Sequence, residues 1–146
     1  MVTRASVVIR SCIAATFGFV IQLCIVLAIG FGFRWCDFLE HVATSILGLF
    51  LAAAILGFIS YSYFTKSSNT LFRSVLIGAT IGWLALWVQV LFGSSVEFFR
   101  NIHTSDAFEA FVFRPVFWVI ILGTIPSLLI GGLFGLTCWW DVRSEA

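Results

Sequence analysis

Charge is what this chain has least of. Asp, Glu, Lys and Arg make up 10% of its 146 residues, against about 25% in ordinary water-soluble domains. The deficit excludes a soluble fold of this size. Some 61% of the chain is hydrophobic, and a small domain keeps too much of itself at the surface to hide that fraction from water. Nucleic acid is excluded as a partner on similar grounds. The eight Lys and Arg residues are scattered, the formal net charge is +1, and no basic stripe is available to follow a phosphate backbone.

Catalytic signatures are missing as well. The chain has no H-E-x-x-H, C-x-x-C, nucleophile elbow, P-loop or dinucleotide fingerprint. Gly131, Gly132 and Gly135 sit inside an apolar run and read as packing residues, not as a phosphate cradle. The chain is therefore read as a non-enzyme with no cofactor.

What is present is oil-soluble sequence. Four apolar runs, at about 11–33, 42–64, 74–92 and 116–140, contain no Asp, Glu, Lys, Arg or His. Crossing about 30 Å of hydrocarbon takes roughly 20 apolar residues in a helix. Without water to satisfy the backbone, each run must be helical. The reading is a single all-α membrane domain over residues 1–146, a polytopic bundle of four transmembrane helices with the lipid bilayer as its solvent.

Orientation follows from the excess of Lys and Arg on cytoplasmic ends. The two termini and the turn at 65–73 share one side, with Arg4, Arg10, Lys66, Arg73 and Arg143; the other side has Arg34, Arg100 and Arg114. Both termini are accordingly placed in the cytoplasm, in a bacterial inner membrane or its equivalent. Trp35 and Trp118 mark the outer boundary, and Tyr61, Tyr63, Trp139 and Trp140 the inner one, where amphipathic rings favour the headgroup level. Arg4 and Arg10 ahead of an apolar run, with Ala28-Ile29-Gly30 beyond it, resemble a secretory signal. That run is about 17 residues, longer than the roughly 7–15 of a cleaved signal, so it is expected to stay as a span.

The connections differ. TKSSNT (65–70) is a plain polar turn. The outer segment 94–115 is longer and rich in phenylalanine, with Phe108, Phe111 and Val112 at helical spacing. It reads as one or two short interfacial helices, opened by an Asp106/Glu109 capping pair and closed at Arg114-Pro115. Gln22 precedes Arg34 much as Gln89 precedes Arg100, which leaves internal duplication open.

Burying leucine between helices gains little in lipid, so close backbone packing and interhelical hydrogen bonds must hold the bundle. Each run carries a pair of small residues four apart: Ala14/Gly18, Gly48/Ala52, Gly78/Gly82 and Gly131/Gly135. Gln22 lies mid-span, where its amide should find a partner across a helix contact; Gln89 lies nearer the outer end, within reach of interfacial water. Pro126 should kink the fourth span, with Thr124 or Ser127 occupying the groups it frees.

Two polar clusters remain. FGFRWCDFLEH (31–41) gathers Arg34, Asp37, Glu40 and His41 between apolar runs, and the other outer segment holds His103, Asp106 and Glu109. Histidine with carboxylate is a plausible metal-ligand set, so His41, His103, Asp37, Asp106 and Glu109 are candidates for an outer metal or redox site. The plainer reading of 31–41 is a membrane-exit turn. Cys12, Cys24 and Cys36 are spaced by twelve, about 120° apart around a helix, and face three directions. Cys12 and Cys138 share the inner end; buried free thiols are expected.

These readings point first to a small accessory or structural subunit, or an assembly factor, held to a membrane-protein partner or to copies of itself. A second expectation is an oligomeric transporter or channel component for a neutral or lipophilic solute, with Gln22, Thr80 and Pro126 near its path. The outer metal or redox site is the third.

Overall fold

The computed structural model describes residues 3–28, 35–65 and 70–144, with no strand among them. Four long helices run Arg4–Ala28 (α1), Trp35–Phe64 (α2), Leu71–Arg100 (α3) and Arg114–Ser144 (α4), with a short π-helical turn at Glu109–Phe113 leading into the last. Each of the four is long and apolar enough to cross a membrane, which points to an integral membrane protein. The chain is an all-α four-helix bundle. Its helices neighbour one another in sequence order, the ring is closed by α1 against α4, and α2 barely touches α4 across the diagonal.

Local sequence explains where the helices begin and end. Thr3 and Ser6 cap α1 reciprocally, each backbone N–H donating to the other's side-chain oxygen at 3.1 and 3.2 Å. Thr70 caps α3 by accepting from the Arg73 N–H at 3.3 Å. At the other end of α3 the Asn101 N–H and its side-chain amide both donate to the Glu97 carbonyl. These caps satisfy groups that the first and last turns of any helix leave open.

The helices outrun the apolar runs. α1 starts at Arg4, ahead of Ser11, and Val7 is already buried in the core. α2 starts at Trp35, so residues 35–41, read as part of an exit turn, are backbone-helical. Arg34 and the side chains of Asp37, Glu40 and His41 lie outside the described residues. α3 continues through residues 94–100, whose polar Glu97 and Arg100 suggest an outer loop. Its 30 residues make a rod of about 45 Å at 1.5 Å per residue, longer than a hydrocarbon core of about 30 Å. Glu97 and Arg100 can thus belong to the helix and still reach water.

Only residues 101–106 are left as turn, since helix resumes at Ala107. The short helical element expected before the last span is present, but it runs through Arg114-Pro115 without a break. The Arg114 N–H reaches back five residues to the Glu109 carbonyl. Widening the helix one position before a proline moves the preceding carbonyl out of the way of the ring. The Asp106/Glu109 capping pair does not form: Glu109 accepts instead from Arg114 at 2.9 Å, and Asp106 is exposed.

The core has two layers. Near the end that holds both termini, Val7, Phe64, Ile81, Phe134 and Cys138 pack together, with Phe64 and Phe134 edge to face at 5.6 Å between centroids. Leu49, Ala52 and Ala85 form the middle layer. Outward faces of all four helices carry exposed apolar side chains such as Phe17, Phe58, Leu76 and Leu129. In water such a surface is a liability; in a bilayer it is the solvated face.

Candidate functional site

The site is built from unequal helix spacings. α3 presents Ser74, Gly78 and Gly82, and α4 presents Ser127, Gly131 and Gly135; the two triplets meet in antiparallel register. A Cβ on Gly78 would fall 2.6 and 2.7 Å from the Gly135 nitrogen and Cα and closer still to the Gly131 carbonyl oxygen. A Cβ on Gly131 would meet the Gly78 carbonyl, one on Gly135 the Ser74 carbonyl, and one on Gly82 the Ser127 carbonyl. Backbone lies directly on backbone, which no residue with a side chain permits. Gly78, Gly82, Gly131 and Gly135 therefore serve one contact inside the chain.

The other pairs behave differently. Gly48 packs against Phe92, with 3.0 Å from its would-be Cβ to the Phe92 Cβ, and Ala52 is buried beside it. On α1, Ala14 is partly buried against the core and Gly18 only looks across to the Ile130 Cδ1 at 3.6 Å, an ordinary contact. The tight contact of α1 lies elsewhere. A Cβ on Gly57 would sit 2.9 Å from the Ser11 Cβ, and the Ser11 hydroxyl donates to the Ala53 carbonyl at 2.8 Å. The spacing of Ser74 ahead of Gly78 and Ser127 ahead of Gly131 was the signal for extending both stripes by one turn. The Ser11–Gly57 contact had no such signal.

Between the close contact of α1 at Ser11 and its loose one at Gly18 lies a partly open cavity of about 50 Å³, lined by all four helices. Its polar lining residues are Ser11, Gln22, Gln89 and Ser127. Gln89 is only 5% exposed. It was expected near the outer interface, but α3 continues to Arg100 and leaves it well inside the helix. Gln22 and Gln89 thus face one space from α1 and α3, and neither side chain makes a hydrogen bond among the described residues. The interhelical bond expected of Gln22 is absent there. The two serines have spent their protons: Ser11 on Ala53 as above, and Ser127 on the Thr124 carbonyl at 2.9 Å.

Other expected participants lie apart. Thr80 is exposed on the outside of α3 and donates to the Leu76 carbonyl at 2.9 Å. Pro126 is not among the lining residues, although its neighbour Ser127 is. Thr124 and Ser127 donate to the Ile120 and Thr124 carbonyls, so neither takes the Leu122 carbonyl that a proline at 126 deprives of its usual donor.

The end holding both termini is tied by charge. Arg10 on α1 pairs with Asp141 on α4 and also donates to the Thr137 carbonyl at 3.5 Å. Arg4 lies over the rings of Phe58 and Tyr61 at 5.2 and 5.5 Å, and Arg143 over Trp139 at 4.8 Å, geometry that favours a cation on the ring face.

At the opposite end, His103 and Asp106 are exposed, and Glu109 is engaged by Arg114. Among the described residues no three His, Cys, Asp or Glu side chains converge on a metal position; His41 and Asp37 have side chains outside that set. Cys12, Cys24 and Cys138 are free thiols, half-buried, exposed and buried respectively; the side chain of Cys36 lies outside the described residues. No family model matches the chain, and neither a curated protein nor a solved structure does.

Proposed function

We propose that the chain is a multi-pass protein of a bacterial inner membrane or its equivalent, with both termini in the cytoplasm, acting as an accessory or structural subunit or as an assembly factor. It carries no catalysis of its own in this reading. Its partners are the bilayer and another membrane protein or further copies of itself, and not nucleic acid. The size of the interior space carries the proposal. About 50 Å³ is far below the roughly 300–1,000 Å³ of sites that hold organic ligands, so the chemistry left to the protein is that of its outer surfaces. Use of the glycine stripes inside the chain supports a preformed bundle that docks as a unit. The test is extraction from native membranes in mild detergent, followed by detergent exchange. A defined larger complex should survive; recovery of the chain only as an isolated monomer overturns the reading.

A transporter component for a neutral solute is the second reading, supported by the two glutamines facing one cavity. Reconstituted vesicles should then show solute flux that Gln22→Leu weakens. Equal flux in both counts against it.

A further inference from the structure

We propose that the cavity between Gln22 and Gln89 is a binding site for small neutral molecules that both donate and accept hydrogen bonds, with a cluster of water as its resident ligand. The inference rests on the bilayer setting of the first reading above, and on neither the accessory role nor the transport role.

Three observations converge on it. The first is an imbalance of donors and acceptors. A carboxamide offers two N–H donors and two acceptor lone pairs on its oxygen. Gln89 is almost fully buried, and Gln22 lines the same cavity from a different helix. Neither amide is used by a described protein group. Leaving the buried Gln89 amide so is costly, and for the half-buried Gln22 hydrocarbon supplies nothing to hydrogen-bond with.

The second observation is space. About 50 Å³ is room for a few waters, since each needs on the order of 10–15 Å³ by this measure. A drug-sized solute is too large. Apolar cavities stay dry, whereas polar ones with two to four partners per molecule fill. Here the partners are the amides of Gln22 and Gln89 and the hydroxyl oxygens of Ser11 and Ser127. Both serines already donate to backbone carbonyls, so towards the cavity they can only accept. The ligand must therefore bring hydrogens of its own, which water does.

Charge is the third. None of the lining residues is ionisable, so an ion would give up its hydration with no countercharge to replace it. The ligand is neutral.

The closing experiment uses the full chain, isotope-labelled and reconstituted in lipid nanodiscs, with water itself as the probe. Water-selected NOE and ROE spectra should show cross-peaks from the side-chain amides of both Gln22 and Gln89, and from the buried methyl of Ala85. In the shape-conserving double variant Q22M/Q89M the Ala85 cross-peak should fall to background. The proposal is overturned if the amides of the unaltered protein contact each other or acyl methylenes but not water. It is equally overturned if the Ala85 cross-peak persists in a folded double variant. Should that variant not fold, the spectrum of the unaltered protein decides alone.

Discussion

Adding one methyl group at Gly78 should separate the two most closely packed helices of the bundle, whereas the same addition at Gly132 should not. The Gly78 Cβ would stand 2.7 Å from the Gly135 Cα, and ordinary contact begins at 3.4 Å. α3 and α4 must therefore part by at least about 0.7 Å, because every atom in the way is backbone and none can rotate aside. A gap of about 0.5–1 Å forfeits a quarter to a half of each pair's dispersion energy, and forcing extra methylenes into a packed core costs about 1–3 kcal/mol. Against this, Gly→Ala favours an isolated helix by at most about 1 kcal/mol. The backbone contact puts Gly78→Ala at the upper part of that range, so the net expectation is a loss of about 2 kcal/mol. At Gly132 a Cβ would meet only the Val75 Cγ1 at 3.5 Å, so Gly132→Ala should be neutral or stabilising by up to about 1 kcal/mol. Equilibrium unfolding in mixed micelles titrated with SDS, followed by far-UV circular dichroism, compares the two directly. Indistinguishable midpoints would refute the backbone contact and, with it, the register of α3 on α4.

Four further outcomes follow from the same geometry. Phe64→Ala empties a fully buried site against Phe134, and its loss should fall towards the lower end of the about 3–5 kcal/mol typical of such truncations, since lipid is already apolar; the SDS titration reads it. Arg10→Gln and Asp141→Asn should each cost under about 1 kcal/mol, because the pair is about one-third exposed and such pairs are weak; the charge-swapped double variant should recover the loss, and a much larger single effect contradicts the assignment. Thr80→Val, on the lipid side of α3, should change the same midpoint by less than about 0.5 kcal/mol, and in a flux assay it should leave any transport unaltered. Reporter tags on the two termini should be protected or cleaved together, since Arg10 and Asp141 put both ends at one end of the bundle; opposite compartments would break the four-span topology.

The sequence was most informative where one residue type answers to one solvent. Runs free of charge can only be helices in hydrocarbon, so their number, their order and the all-α class are legible in the sequence. The small-residue pairs were legible too, because four-residue spacing puts both members on one helix face. Boundaries were less so. Residues 94–100 read as loop because Glu97 and Arg100 are polar, yet an α-helix makes its own backbone bonds in water as well as in lipid, and α3 simply continues. His103 and Asp106 are exposed, and the side chains of His41 and Asp37, the other members of the outer His/carboxylate set, lie outside the described residues.

Composition and periodicity, then, determined by themselves the number of helices and their oil-facing character, since those depend on each residue's preference for its solvent. Only the tertiary structure decided which stripe met which: Gly78 and Gly82 against Gly131 and Gly135, with Gly18 left slack. From that choice came the placement of Gln22 and Gln89 at one cavity. The reason is that helix faces are local facts, whereas the distance between two helices depends on every side chain that keeps them apart.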